Sequence, residues 1–454
     1  MADQALVFAV RRRELELVGP AAPTPREIKR LSDLDDRHVL RMNVSLAFFY
    51  RGREEGVALG DPAGVIQRAL GEALVHYYPL AGRLREVEGR KLDRPWLVVD
   101  CTGEGVLFVE AEADVRLAEL HAAGLRPPIP CMQQLLLEVE GSSGMVDTPL
   151  MLIQVTRLLC GGFVFALRHN HTLCDATGIV QFINAVAELA GGLPAPTVAP
   201  AWARELLEMP SPPMPSFPRS EFDVQQSPQV TQTFPAPGPV DGDMVVRSFI
   251  FSHSEVAVIK KRLPPLLRDT ATTFEALAAF LWRARTAALE FPPDESAPLA
   301  IIANFRAAAD LGLPSGYYGN AIVASRAIAD AAELRRGSLE DAVALVRQAK
   351  VMVTAEYVRS TVNELVLGGR GQPPLLPANM YLLSDLRRVG FHRVDFGWGK
   401  PVFAGPVYPV FRQSFFTVIM DRNGEEAVIV PVALPRQAME RFAVEMERLV
   451  VSKL

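Results

Sequence analysis

Residues 163–178 read Phe163-Val-Phe-Ala-Leu-Arg-His-Asn-His171-Thr-Leu-Cys-Asp175-Ala-Thr-Gly178. The apolar run Phe163 to Leu167 has the length and composition of a buried strand, and it stops abruptly at His169, Asn170 and His171. Four residues past His171 stands Asp175. Beyond it Ile179, Phe182, Ile183, Val186 and Ala190 fall on one face of a helix. A strand that delivers an imidazole into a tight turn before a helix is a rigid mount for a proton acceptor working near neutral pH.

Spacing alone leaves competing readings of each polar group here. His171 is a general base or a satisfied histidine at a strand end. Asp175 can cap the helix through the amides of Thr177 and Gly178. His169 and His171, two apart on a strand, face one side, but no third and fourth ligand follow at zinc-site spacing, so no metal is expected. Cys174 is a nucleophile beside a histidine or a packing residue in an apolar turn.

Outward from this stretch, the chain alternates strands and helices without a regular βαβ rhythm, and no GxGxxG follows a strand. A mixed sheet with helices fits best, giving an α/β fold. In the first half the pattern predicts strands at Leu6–Val10, Leu97–Val99, Val106–Val109, Leu135–Val139 and Leu150–Leu159, and a helix over Asp61–Tyr78. Of 36 prolines, 12 lie in residues 191–240, which mark a semi-rigid extended linker. It divides the 454 residues into a first domain, 1–190, a crossover, 191–242, and a second domain, 243–454. In the second half the pattern predicts strands at Val245–Phe251 and Leu299–Asn304 and helices from Ser254, over Thr272–Leu289, over Ser338–Leu367 and over Pro435–Val451. Thr272-Thr-Phe-Glu275 looks like a capping box one position short. Strands at Phe415–Met420 and Glu426–Ala433 form a hairpin over Asp421-Arg-Asn-Gly424.

A net charge of −5 gives no support to a nucleic-acid or anionic-membrane partner. No stretch approaches the roughly 20 apolar residues of a membrane span. The four cysteines, Cys101, Cys131, Cys160 and Cys174, have no CxxC spacing, as expected of free thiols in a reducing compartment. The final residues, Ser452-Lys453-Leu454, read as a peroxisomal address taken up by an import receptor.

His171-Thr-Leu-Cys-Asp175 together with Asp395-Phe-Gly-Trp-Gly399 resembles the paired signature of the plant BAHD acyl-CoA-dependent acyltransferases, in the family's order. Leu31-Ser-Asp-Leu-Asp35, Tyr78-Pro-Leu-Ala-Gly-Arg83, Asn304-Phe-Arg306 and Gly316-Tyr-Tyr-Gly-Asn320 extend the likeness over most of the chain. Ala176 departs from the family's usual glycine. Asp175-Ala-Thr-Gly178 instead resembles the benzyl alcohol O-benzoyltransferase and alcohol acyltransferase branch. Asp93-Arg-Pro-Trp96 looks inserted and should only lengthen a surface loop.

The resemblance implies two chloramphenicol-acetyltransferase-like domains, each a mixed β-sheet flanked by helices, with an interface channel. It also implies that a segment near 370–400 packs with the first domain. His171 would be the catalytic base, and Asp175 would pair with Arg306 to fix the turn. Asp395, Gly397, Trp398 and Gly399 would brace the site, and Ser384 would touch the oxyanion or the acceptor. Ser254, Lys260, Lys261, Arg262, Thr272 and Thr273 would contact CoA. The implied activity is O-acyl transfer with acyl-CoA as co-substrate and no permanently bound cofactor, carried out by a monomer. Benzoyl-CoA and benzyl alcohol giving benzyl benzoate is the substrate pair expected, within benzenoid or salicylate-related metabolism.

Overall fold

Leu46 to Tyr50 and Phe163 to Leu167 are unbroken apolar runs, and they lie side by side, paired antiparallel from Asn43↔Asn170 to Tyr50↔Phe163. Strands buried on both faces read this way because neither face meets water. The computed structural model describes residues 6–52, 60–88, 96–139, 144–208, 243–367, 379–408, 412–420 and 424–451. The sequence features at 93–95, 209–242, 421–423 and 452–454 lie outside these described residues.

In chain order the first half carries β1 (Val10–Val18), β2 (Ile28–Arg30), β3 (Asn43–Tyr50), α1 (Pro62–His76), β4 (Arg83–Val87), β5 (Trp96–Asp100) and β6 (Val106–Ala113). It continues with α2 (Leu117–Ala122), α3 (Met132–Leu135), β7 (Met151–Leu158), β8 (Phe163–Asn170) and α4 (Ala176–Ala190). The second half carries β9 (Met244–Phe251), α5 (His253–Lys260), α6 (Pro265–Thr270), α7 (Thr273–Ala288), β10 (Leu299–Asn304), β11 (Ile322–Ala327) and α8 (Ala331–Arg336). Then come α9 (Leu339–Val351), α10 (Ala355–Leu367), β12 (Tyr381–Asp385), β13 (Phe403–Pro406), β14 (Gln413–Met420), β15 (Glu426–Pro435) and α11 (Arg436–Val451).

Two six-stranded mixed sheets result, ordered β1-β6-β7-β8-β3-β13 and β11-β10-β12-β14-β15-β9, with β2-β5-β4 as a small third sheet. The pairs β6/β7, β10/β12 and β12/β14 are parallel, and the remaining pairs are antiparallel. One core gathers Phe48, Phe163, Phe165 and Phe182, and a second gathers Phe274, Trp282, Phe416 and Phe442. The halves exchange material: β13, from the second half, pairs with β3 through Phe403↔Phe49 to Pro406↔Leu46. The Phe49 and Phe403 rings meet edge-on at 6.0 Å.

Several sequence expectations shift. The first strand is Val10–Val18, not Leu6–Val10. It is a bulged edge strand whose outward Arg11 and Arg13 pair with Glu112, a charge pattern that conceals strand periodicity. Leu135–Val139 is not a strand, since α3 ends at Leu135 and no strand of the three sheets includes 136–139. Ser338–Leu367 is two helices broken at Met352–Thr354, where Thr354 starts the second by accepting the amide of Tyr357. The helix placed from Ser254 starts at His253, with Ser252 as its cap. The capping box at Thr272 is complete: its hydroxyl accepts the Glu275 amide and the Glu275 carboxylate accepts the Thr272 amide.

Candidate active site

β8 runs three residues further than its apolar core, because His169 stays in register between Val44 and Met151. The chain then turns. The Asn170 side-chain oxygen accepts the Thr172 amide at 3.0 Å, the self-closing turn that Asn favours. The His171 amide donates to the Met42 carbonyl at 2.9 Å, and the Thr172 hydroxyl to the Leu40 carbonyl at 3.1 Å. These bonds fix His171 on the exit of a central strand, partly open to solvent, with Thr172 to Asp175 buried behind it.

Asp175 gathers four donors. One carboxylate oxygen accepts the Gly178 amide at 3.0 Å and so caps α4, and the other accepts the Ala321 amide at 3.0 Å. Arg306 closes a two-bond ion pair on it at 2.8 and 2.9 Å. A carboxylate buried to this degree is stable only if all its acceptor sites are filled, and three of these four donors come from the second half. Nearby, Asn304 donates to the Thr177 hydroxyl at 3.1 Å. A Cβ on Gly178 would lie 2.0 Å from the Tyr318 carbonyl oxygen, so only glycine lets α4 approach the second half this closely.

Burial lowers the His171 pKa below the ordinary imidazole value. Its own carbonyl and Asp175 oppose that shift, Arg37 adds to it, and Asn320 opposes it. The ring is therefore neutral at physiological pH, the form that can accept a proton. His169 is fully enclosed, and burial, then the neighbouring His171, pushes it down to about 3. The two rings lie 6.3 Å apart between centroids. Among the described residues, no group of three or more His, Cys, Asp or Glu is placed to hold a metal. Cys174 is buried, and desolvation followed by Asp175 raises its thiol pKa, so it stays protonated and a poor nucleophile.

Asp395-Phe-Gly-Trp-Gly399 folds on its own aspartate, which accepts the amides of Gly397 at 2.7 Å and Gly399 at 2.8 Å. Both glycines have positive φ. The loop's rings then pack on the strand that carries the histidines: Phe396 lies 5.1 Å from Phe165, and Trp398 lies 5.4 Å from Phe163. The Tyr50 hydroxyl donates to the Val394 carbonyl at 3.1 Å. The loop thus packs against β8.

Ser384 is buried on β12, beside Ile302 and Phe415, and accepts a long bond of 3.4 Å from Gln413. Ser254 lies in the first turn of α5, with its hydroxyl 2.9 Å from that of the Ser252 cap. Lys260 closes that helix, Lys261 and Arg262 are exposed just beyond it, and Arg262 lies over the Phe280 ring at 5.9 Å. The cap around Thr272 and Thr273 already holds the Glu275 carboxylate.

A second buried hub escapes spacing arguments. Asp35 is fully buried and accepts the Ser32 hydroxyl at 2.6 Å and the Asn320 amide and side-chain nitrogen at 3.0 and 2.8 Å. Arg204 lies 3.3 Å from it, is enclosed by Trp202, Tyr317 and Tyr318, and donates to the Leu173 carbonyl at 2.6 Å. Leu31–Asp35 and Gly316–Asn320 stand out in the sequence as family-like segments. Arg204 gives no such signal within a proline-rich stretch. Two surface clefts, of about 440 Å³ beside Leu267 and Val351 and about 280 Å³ beside Arg126 and Arg247, include none of the residues around His171.

A family model described as the Transferase family matches residues 8–449. A benzyl alcohol O-benzoyltransferase of Petunia hybrida is 46% identical over 97% of this chain and 94% of its own. A (Z)-3-hexen-1-ol acetyltransferase of Arabidopsis thaliana is 45% identical over 97% of this chain and 95% of its own. The crystal structure of vinorine synthase superposes with a TM-score of 0.71 at 20% identity, covering 97% of this chain and 98% of that one, which shows the shared fold. Matched along nearly its whole length, the chain belongs to the BAHD acyl-CoA-dependent acyltransferases and is an enzyme that takes acyl-CoA as co-substrate.

Proposed function

We propose that this acyltransferase moves a benzoyl group from benzoyl-CoA to benzyl alcohol, giving benzyl benzoate, with His171 as general base in a ternary complex. The observation that carries the mechanism is the placement of His171. It is a neutral imidazole on a rigid turn, held from the second half through Asp175 and Arg306. An alcohol is a weak nucleophile until its proton is being removed. His171 Nε2 takes that proton as the oxygen attacks the thioester carbonyl carbon. The tetrahedral oxyanion then collapses, the C–S bond breaks, and the leaving thiolate receives the proton from His171. Ser384 is the proposed hydroxyl for the oxyanion or the acceptor. Lys260, Lys261 and Arg262 supply the proposed charge for the CoA phosphates, with Ser254, Thr272 and Thr273 adding hydroxyls.

The benzoyl assignment is supported by the Petunia hybrida relative and by Asp175-Ala-Thr-Gly178. The hexenol acetyltransferase, one per cent less identical, favours a second reading with acetyl-CoA and an aliphatic alcohol. A matrix of benzoyl-, acetyl- and anthraniloyl-CoA against benzyl and aliphatic alcohols separates them by kcat/KM. Benzoyl-CoA with benzyl alcohol is expected to rank first, and a preference for acetyl-CoA replaces that substrate reading. Wild-type protein that binds acyl-CoA yet turns over no alcohol in the panel refutes the enzymatic reading in favour of a binding protein. Ser452-Lys453-Leu454, as a free end, is proposed to direct the enzyme to peroxisomes. A fusion retaining it should be imported, and one lacking it should remain cytosolic.

A further inference from the structure

Three side chains stand in one row across β10, β12 and β14: Ile302 is in register with Ser384, and Ser384 with Phe415. The row is large, small, large. Residues two apart on a strand share a face, so Asn304 lies on the face of Ile302, and Thr417 and Ile419 lie on the face of Phe415. All three of these neighbours meet the first half. Asn304 donates to the hydroxyl of Thr177, in the first turn of α4, at 3.1 Å. A Cβ on Gly405 of β13 would lie 3.5 Å from the Thr417 side chain, and Ile419 packs against the cluster that holds Phe49 and Phe403. Phe415 departs from this pattern. It is half-buried on a central strand, and among the described residues it contributes to none of the buried apolar clusters. A phenylalanine enclosed between two halves yet outside both cores lines a space and does not fill one.

We propose that Ile302 and Phe415 are the walls of a slot, floored by Ser384, that takes the flat aromatic ring of a substrate, and that Phe415 sets the preference for aromatic over aliphatic groups. Neighbouring strands lie about 4.8 Å apart, which puts the two wall strands about 10 Å apart. A ring in van der Waals contact with a wall on each side needs about 7–8 Å. One planar ring therefore fits, and a flexible alkyl chain fills the same slot less completely. Phe415 adds the edge or face contact that aromatic pairs favour beyond the area they bury. Gln413 stands one pleat further along the face and donates its 3.4 Å bond to Ser384, so the slot turns polar at that end. At the other end it opens beside Asn304, whose partner Thr177 follows the His171 turn. A ring seated between the walls thus directs its reacting substituent toward His171. Either the benzoyl group or benzyl alcohol supplies such a ring.

The slot rests on the benzyl benzoate reading of the activity, and the experiment separates the two. Wild type, Phe415→Ala, Phe415→Leu and Ile302→Phe are compared by kcat/KM with benzoyl-CoA or acetyl-CoA against benzyl alcohol or 1-hexanol. Thermal melting checks the fold, and the leucine variant is read if the alanine variant does not fold. In Phe415→Ala the ratio of aromatic to aliphatic substrate should fall by about 10- to 200-fold, the scale of a lost contact in a hydrophobic pocket. The fall should come from a higher KM for the ring-bearing substrate. Ile302→Phe narrows the slot and should lower the same ratio. A change confined to the two donors assigns the slot to the benzoyl group, and one confined to the two alcohols assigns it to benzyl alcohol. Folded variants with wild-type ratios on both sides overturn the inference. An equal loss with every pair also does so, because it reports only structural damage. A wild type that prefers acetyl-CoA and hexanol refutes the benzyl benzoate reading alone, and the slot is then judged by whether the substitutions move the ratios. Should the wild type turn over no pair, dissociation constants of the same four compounds from calorimetry supply those ratios.

Discussion

Arg306 and Asp175 are 131 positions apart in the chain and meet in a two-bond ion pair, with Arg306 just past the end of β10 and Asp175 at the start of α4. The pair ties the turn bearing His171 to the opposite half of the molecule. Asp175→Asn keeps an oxygen for the Gly178 amide but leaves Arg306 without its counter-charge. A loss of about 3 kcal/mol is expected in urea unfolding, the low end for a broken buried pair, because the Arg306 side chain is 18% exposed. Turnover should fall with it, since the His171 turn loses its brace. Unchanged stability with unchanged kcat would remove the ion pair from the account.

The lowered pKa of His171 predicts that kcat/KM holds its plateau to a pH below the ordinary imidazole value of about 6.5 and falls only beneath it. A midpoint on the acidic limb at or above that value contradicts the burial argument.

Burial also lowers the pKa of His169, and that shift bears on stability. Its folded pKa is about 3, below the unfolded value of about 6.5, so the unfolded chain binds the extra proton between these limits. The stabilisation is complete above that window. It is lost as pH falls through it, by up to about 1.4 kcal/mol per pH unit for this one group. His169→Gln should flatten the slope of urea stability against pH between about 6 and 4 relative to wild type, where the other groups titrate alike in both.

Phe396 is 1% exposed and packs on Phe165 and Tyr50. Phe396→Ala should cost about 3–5 kcal/mol of stability, the range for truncating a buried aromatic ring. Among molecules that remain folded, turnover should fall with KM for acyl-CoA unchanged, because the ring supports β8 and not the substrate. A selective rise in KM would assign the loop to binding.

Gly178→Ala tests the closeness of the two halves. Its Cβ would lie 2.0 Å from the Tyr318 carbonyl oxygen and 2.8 Å from the Cys174 Cβ, so backbone must move. A destabilisation of about 1–3 kcal/mol is expected, with a larger relative loss of kcat. Wild-type turnover in this variant would show that the interface is looser than described.

Much of this arrangement is legible in the residues themselves. The period of α4, the apolar runs of β7 and β8 and the antiparallel neighbours β14 and β15 all follow from local pattern. The pairing of Asp175 with Arg306 is not local. It follows only from the resemblance of His171-Thr-Leu-Cys-Asp175 and Asn304-Phe-Arg306 to a family. β3 and β12 escape because their partners, β8 and β10, are distant in sequence, and a short buried strand has no amphipathic period. The outward charges of β1 hide its alternation. The hub of Asp35, Asn320 and Arg204 is assembled from three separate segments. Nothing about Arg204 in a proline-rich stretch announces a side chain 1% exposed.

His171 is the proposed carrier of the proton. The direct measurement is release of free CoA thiol by His171→Ala and by wild type, each with acyl-CoA alone and with acyl-CoA plus alcohol. Wild type should release thiol only when the alcohol is present. His171→Ala, folded by thermal melting, should be slower by about 10²- to 10⁴-fold, the usual contribution of a positioned general base. Full turnover by His171→Ala would contradict the account.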